Sequence, residues 1–330
     1  MCPANLFAYA GAPLGAARRG GKLMISGFDT AFGEVTLVLF TTLAPSGAVA
    51  LAIVAAVLLF AKLGDDVRAR INKFMCIPLV VTMVGLIASA THLGNPANAL
   101  YVFMHVGSSP LSNEVSSAVA FLACCGLYWL YSFSAKPVAW LQRAVLVLIV
   151  VTGAVFVAMV SVAYSVDTIP TWNLPTVPVS LWLNALVGGP LLAALTLYVA
   201  RWGALAGRFG LALMSVPVVA LFANVTVYAA QGNMMAELGN PVTAAVELVP
   251  HYWQMLAAAT VLALAGCVLA AATMHVVSRR AGQVQSAGAL LAFSKRVATR
   301  LCVACLLSFA GIFIMRFAFY MMRLTVGVAV

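Results

Sequence analysis

A histidine and a glutamate lie on either side of one polar connection between two apolar segments. His92 follows the apolar run 74–91, and Glu114 precedes the run 115–135. The protein has only four histidines and eight acidic residues, so both side chain types are rare in it. An imidazole titrates near neutral pH, with an ordinary pKa of about 6.5, and a carboxylate can accept a proton from a hydroxyl group. The pair therefore predicts a site of proton exchange.

The connection between the two residues contains further hydrogen-bonding groups. Asn95, Asn98 and His105 lie between His92 and Glu114 and are predicted to line the same pocket. Consecutive helices joined by a short connection are usually neighbours in space. We therefore expect His92 and Glu114 to face each other at one end of the two apolar segments.

Both residues also have plainer interpretations, which the residues alone leave open. His92 can be an interfacial histidine that is wetted on one side. Glu114 follows Ser112, a plausible helix N-cap, and in the first helical turn it would complement the helix dipole. Function and local structure therefore remain alternatives at this point.

The composition determines the class of protein to which these residues belong. The sequence has 330 residues, of which 64% are hydrophobic and 8% are charged, whereas a soluble globular domain has about 25% charged residues. This is the composition of an integral membrane protein. The formal net charge is +10, but the basic residues lie in alternate short loops, which is a membrane topology signal and not a nucleic-acid-binding face. Nucleic acid is therefore excluded as a partner.

Apolar runs of spanning length recur from Val35 onward, each close to the ~20 residues that cross a hydrocarbon core. The predicted membrane helices are 35–60, 74–91, 115–135, 144–166, 179–200, 209–230, 252–277 and 297–322. The predicted fold is an all-α integral membrane protein with eight transmembrane helices in a domain over 35–330. Residues 1–34 are assigned to an N-terminal extension that is either disordered or the product of a mis-assigned start, since Met24 could also begin the protein.

The loops between these runs alternate in charge. Lysine and arginine occur in the first, third, fifth and seventh loops and are absent from the second, fourth and sixth. By the positive-inside rule the basic loops are cytoplasmic. Both termini and the loop that contains His92 are therefore predicted to lie outside.

A short repeat connects the two halves of the sequence. Leu-Gly-Asn-Pro at 93–96 recurs at 238–241, an offset of 145 residues. The same offset relates the start of the first predicted helix to that of the fifth. A parallel repeat of four helices would produce this relation. A chance match in a biased composition would also produce it, and both explanations stay open.

Three short motifs resemble those of a known family. They are HLGNP at 92–96, LSNE at 111–114 and PTWN at 170–173. In this wording and order the sequence is similar to the membrane anchor subunit of bacterial dimethyl sulfoxide reductase-type complexes. The resemblance implies that His92 and Glu114 bind and oxidise menaquinol at the outer face of the bacterial cytoplasmic (inner) membrane, in anaerobic respiration.

The resemblance also implies partners, because an anchor subunit is not catalytic on its own. Electrons would pass to an iron–sulfur subunit and from there to a molybdopterin-containing catalytic subunit, both on the outer face. No haem, iron–sulfur cluster or metal is expected in this subunit. Its seven cysteines lack the spacing of a cluster site, and His251 and His275 fall at opposite ends of one predicted helix.

Two alternative functions remain. Eight helices and a repeat also suit a secondary transporter, although transporters usually place polar groups near the bilayer midplane. A polysulfide-reductase-type quinone anchor would share the function without the motifs. Of the polar groups within the predicted helices, Arg316 is expected to snorkel to the outer surface, whereas Asn184, Asn224 and Thr226 are expected to form hydrogen bonds between helices.

Overall fold

The fold is a helical bundle, seen in a computed structural model that describes residues 18–19, 22–23, 27–92, 96–240, 243–280 and 287–325. Its α-helices, in sequence order, are α1 (Gly27–Gly33), α2 (Val35–Phe60), α3 (Asp65–Phe74), α4 (Cys76–Thr91), α5 (Pro110–Tyr131), α6 (Ala139–Ala163), α7 (Thr176–Val199), α8 (Arg208–Met235), α9 (Ala245–Leu248), α10 (Tyr252–Arg280) and α11 (Ala287–Met321). Short 3₁₀ helices cover Pro96–His105 and Gly203–Ala206. Strands β1 (Arg18–Arg19) and β2 (Lys22–Leu23) pair antiparallel.

The prediction of eight membrane helices is confirmed. In the described part of the protein, eight helical segments are long and apolar enough to cross a membrane. The second span covers Asp65–Thr91 and consists of α3 followed by α4, so it begins earlier than the predicted 74. The third span begins at Pro110 instead of 115, because proline is well suited to the first turn of a helix.

Part of the predicted extension belongs structurally with the bundle. Residues Gly27–Gly33 form α1, which packs against α11. Ala31 is fully buried, and Gly27 lies so close to the carbonyl oxygens of Leu248 and Met321 that a Cβ there would clash with both. The membrane-spanning part still begins at the predicted Val35.

Helices α2 and α7 form the centre of the bundle and are its most buried spans. Gly188 and Gly189 of α7 face α2 with no side chain of their own between the backbones. A Cβ on Gly188 would lie 2.5 Å from Oγ of Ser46, and a Cβ on Gly189 would lie 2.5 Å from Cγ1 of Val49. Small residues let membrane helices approach closely enough for van der Waals packing to hold them together. This contact joins the first four spans to the last four.

The two groups of four spans pack in the same order. Helix α2 contacts α4 and α6, and α5 packs on α6. Correspondingly, α7 contacts α8 and α11, and α10 packs on α11. Pro45 within α2 and Pro190 within α7 lie at the 145-residue offset found in the sequence. The parallel repeat stays a prediction that this order supports, since the Leu-Gly-Asn-Pro copies lie partly outside the described residues.

We expect Gly189→Ala to destabilise the bundle, because the new methyl group must displace Val49 or separate α7 from α2. Overpacking of this kind costs about 1–3 kcal/mol. Gly126→Ala in α5 is the matched control, since no described atom lies within 4 Å of its Cβ position. Thermal unfolding of the purified protein in mild detergent measures the difference. Equal unfolding temperatures for the two variants would contradict the proposed role of the α2–α7 contact.

Candidate functional site

His92 lies at the end of α4, where it forms an ion-pair contact with Glu34. Its Nε2 is 3.0 Å from Oε2 of Glu34, the residue that immediately precedes α2. The other carboxylate oxygen, Oε1, accepts a hydrogen bond of 3.4 Å from Nη1 of Arg323, beyond the end of α11. Glu34 is 8% exposed. One buried carboxylate therefore joins the start of the first span, the end of the second and the segment after the last.

This partner differs from the predicted one. His92 and Glu114 lie at the same end of the bundle, but the residue found against His92 is Glu34. The reason is the packing of the helices. Helix α4 packs along α2, so that the end of α4 meets the start of α2, whereas α5 packs mainly on α6 and touches α4 little. Sequence reasoning misses Glu34 because it lies far from His92 along the polypeptide.

The connection after His92 turns back toward the bundle through a fixed turn. Gly107 has a φ of +89°, in the left-handed region that favours glycine, and its N–H donates a hydrogen bond of 2.6 Å to Oδ1 of Asn113. Helix α5 then begins at Pro110 after Ser109. Ser112 is therefore inside the helix and does not cap it. This places Glu114 in the second turn of α5.

The other predicted pocket residues are less well defined. Asn95 and the side chain of Asn98 lie outside the described residues. His105 ends the 3₁₀ helix and is exposed, with Nδ1 3.5 Å from the carbonyl oxygen of Tyr101. Large apolar side chains on this 3₁₀ helix, Leu100 and Met104 among them, are exposed as well. The segment presents an apolar surface next to His92.

Glu114 points into the bundle and is 5% exposed. Its neighbourhood includes Tyr164, which follows α6. Burial raises the pKa of Tyr164 well above 10, and the Tyr320 hydroxyl and the Glu114 carboxyl raise it further, whereas Arg316 lowers it. The Tyr164 hydroxyl therefore stays protonated at neutral pH. Glu114, two tyrosines and an arginine thus share one electrostatic environment below the surface where His92 lies.

Arg316 is fully buried, and the prediction that it snorkels to the surface is wrong. Its Nε donates a hydrogen bond of 3.0 Å to Oγ1 of Thr41, and its Cζ lies 4.1 Å from the ring centroid of Phe319. The rings of Tyr164 and Tyr320 lie farther out, with centroids 5.5 and 5.6 Å from Cζ. The aromatic residues cover the guanidinium on the side that snorkelling would need. Nη1 and Nη2 have no hydrogen-bond partner among the described residues.

The loop that contains the third motif closes this end of the bundle. The Thr171 hydroxyl donates a hydrogen bond to the Met322 carbonyl oxygen and accepts one of 3.4 Å from the N–H of Leu324. Nε1 of Trp172 donates to the Phe319 carbonyl oxygen at 3.1 Å, and the two rings stack at 4.8 Å. The motif therefore fixes the end of α11, from which both Arg316 and Arg323 reach the polar groups.

A separate polar network lies deeper in the second half of the bundle. Nδ2 of Asn224 donates to Oδ1 of Asn184, and Nδ2 of Asn184 donates to the Tyr228 hydroxyl, both at 2.7 Å. These hydrogen bonds between helices confirm the predictions for both asparagines. Thr226 instead bonds to Phe222 within its own helix. The adjoining cavity of about 20 Å³ has room for one water molecule and is too small for a transported solute.

Fold and site together define a multi-pass membrane protein with a cluster of buried ionisable groups, Glu34, Glu114 and Arg316, near one end of the bundle. Comparisons with known proteins then identify its family. The family model described as DMSO reductase anchor subunit (DmsC) matches residues 28–322. This protein belongs to the family of DMSO reductase anchor subunits.

Individual relatives agree with this assignment. Over 297 residues the sequence is 33% identical to the anaerobic dimethyl sulfoxide reductase subunit YnfH of Escherichia coli (strain K12), covering 90% of this protein and 97% of the relative. It is 33% identical over 301 residues to the C subunit of the anaerobic dimethyl sulfoxide reductase of the same organism, with the same coverage. The C subunit of the Haemophilus influenzae enzyme is 30% identical over 229 residues, covering 68% of this protein and 79% of the relative. The resemblance found in the motifs is confirmed.

We expect Thr171→Val to weaken the closure of this end, because valine keeps the shape but leaves the Met322 carbonyl and the Leu324 N–H without their partner. A buried polar group that loses its hydrogen bond costs about 1–3 kcal/mol. Thr171→Ser retains the hydroxyl and is the control. Limited proteolysis after Met321 and thermal unfolding in detergent measure the effect. A valine variant as stable and as protected as the serine variant would refute this role of the hydroxyl.

Proposed function

We propose that this protein binds menaquinol at the end of the bundle that carries His92 and Glu114, and oxidises it. The observation that supports the proposal most directly is the placement of two proton-accepting groups at one end of an apolar bundle, one of them in contact with Glu34 and the other buried. Family membership supports the same function, since a DMSO reductase anchor subunit is the part of a reductase complex that would deliver electrons to it from the membrane. A secondary transporter is not favoured by the family match.

The contact with Glu34 gives His92 a defined role in the proposed reaction. With Nε2 of His92 held 3.0 Å from the Glu34 carboxylate, Nδ1 is the ring nitrogen that accepts a proton from a quinol hydroxyl. The imidazolium that forms is then stabilised by the same carboxylate. A carboxylate that orients a histidine and stabilises its charged form is a recurring arrangement in proton-transfer sites. Glu34 acts here as a positioning residue, with Arg323 balancing its charge.

Glu114 is the proposed acceptor of the second proton. A buried carboxylate is costly in its ionised form, so the uptake of a proton from a bound quinol removes that cost. The two Nη groups of Arg316 lack partners among the described residues and can donate hydrogen bonds to a quinol oxygen or to an intervening water molecule. Asn95, Asn98 and His105 remain proposed lining groups.

Oxidation of one quinol to quinone releases two protons and two electrons. His92 and Glu114 take the protons. The electrons leave for an iron–sulfur subunit docked at this end of the bundle, which passes them to a molybdopterin-containing catalytic subunit. We place the complex in the bacterial cytoplasmic membrane during anaerobic respiration, with this end on the outer face. The exposed side chains of Leu100, Phe103 and Met104 offer the isoprenoid tail a path from the lipid.

We expect His92→Ala and Glu114→Gln to reduce quinol-driven turnover of the complex by about 10²–10⁴-fold, the contribution of a positioned base. Glu34→Gln should reduce it by about 10–100-fold, as is usual for residues that orient another group. Arg316→Met should also lower it, and Arg316→Lys should retain more activity. Reduction driven by a soluble artificial donor should stay unchanged in assembled complexes. The measurement is the ratio of the two rates in membranes.

Control substitutions distinguish an effect at the proposed site from a general effect at this end of the bundle. His251→Ala and Glu237→Gln change exposed residues at the same end of the bundle and should leave the ratio as in the unsubstituted protein. If His92→Ala and Glu114→Gln also leave the ratio unchanged, the quinol binds elsewhere. A loss that occurs with both donors would point to failed assembly instead.

The orientation of the bundle has its own test, which depends on the charge alternation of the loops. A reporter that is active only in the cytoplasm should work when fused after Arg70, Arg208 or Arg296. It should fail when fused after Asn98 or Asn240. The opposite pattern would place His92 and Glu114 on the cytoplasmic side.

A further inference from the structure

A basic pocket lies at the end of the bundle opposite His92, where the first half of the second span meets the end of α7 and the start of the last span. The pocket has a volume of about 410 Å³. Its cationic lining comes from three separate parts of the sequence: Arg70, Lys73, Arg201 and Lys295.

Two of these arginines are held in place by the backbone. Nε of Arg70 donates a hydrogen bond of 3.1 Å to the carbonyl oxygen of Ala200, at the end of α7. The next residue, Arg201, has a φ of 58°, and among the described residues it is the one non-glycine residue with a positive φ. Such a conformation costs about 1–3 kcal/mol and is retained only where its surroundings enforce it. The turn after α7 thus holds Arg201 at the pocket rim.

The four cations share a lining without carboxylates. Among the described residues no aspartate or glutamate lines the pocket. Like charges that converge without a counter-charge repel one another, and a bound anion removes this repulsion. The arrangement therefore favours an anionic ligand.

Apart from Ser294, the rest of the lining is apolar or aromatic. Phe74, Tyr198, Val199 and Ala298 contribute to it, next to the ends of helices that cross the membrane. A ligand that fits must combine negative charge with apolar groups at the level of the membrane surface. Basic pockets between transmembrane helices that combine these properties bind phospholipid head groups.

We propose that this pocket binds the phosphate groups of an anionic phospholipid, with two phosphodiesters matched to the four cations. The lysines and arginines contact the phosphate oxygens, and the acyl groups continue along the apolar lining into the bilayer. The site lies at the opposite end from the quinol site, so the inference does not depend on the proposed function.

The test measures stabilisation of the purified protein in mild detergent as lipid is added. Cardiolipin, with two phosphates, should raise the unfolding temperature at lower concentration than phosphatidylglycerol, and phosphatidylcholine should have no effect. The effect of cardiolipin should fall as ionic strength rises. If inorganic pyrophosphate stabilises the protein as strongly as cardiolipin does, the pocket is a site for a soluble anion and the lipid assignment is wrong.

Paired substitutions locate the effect. Lys73→Gln with Lys295→Gln should weaken cardiolipin binding by about 10–30-fold, because each basic residue near the surface contributes several-fold to the affinity for anionic lipid. Lys62→Gln with Lys136→Gln removes two exposed lysines from the same end of the bundle, outside the pocket, and should have a much smaller effect. Equal weakening by both pairs would show a diffuse surface effect and overturn the proposal.

Discussion

The close approach of α2 and α7 is the constraint on which the rest of the structure depends. At Gly188 and Gly189 the two helices meet at small residues, and each helix then carries its own neighbours, α4 and α6 on one side, α8 and α11 on the other. Lipid tails are as apolar as the side chains, so moving a side chain from lipid into a helix contact gains little free energy. Van der Waals contact at small residues therefore decides which helices associate. The bundle is therefore built outward from this pair.

Because the centre of the bundle is tightly packed, the groups that could take part in a reaction lie near its ends. The polar groups of the interior are mostly hydroxyls and amides. Hydroxyls such as those of Thr42 and Thr196 bond within their own helices, whereas Asn184 bonds to Tyr228 of a neighbouring helix. The ionised groups near His92 lie close to helix ends, and among them Arg316 is fully buried. There the α2 and α11 termini meet, and aromatic rings rather than water surround the guanidinium. The guanidinium is thus held in an apolar environment close to one end of the bundle.

Periodicity and loop charge are enough to predict the eight spans, because apolar length and basic loops are properties of local sequence. The three short motifs are enough to predict the family. Contacts between distant parts of the polypeptide cannot be predicted from these local patterns. Glu34 falls in the predicted extension, and only the packing of α4 on α2 brings it to His92. Arg316 is expected to reach water, and only the position of Phe319 shows why it does not.

The three-way contact of Glu34 with His92 and Arg323 has a consequence for biosynthesis. The polypeptide enters the membrane from its N-terminus, so Glu34 and His92 are present long before Arg323, which follows the last span. The charge on Glu34 is balanced only when the final helix has been inserted. A polypeptide that stalls before this point lacks the contact between Glu34 and Arg323. Completion of the polypeptide and completion of this three-way contact therefore coincide.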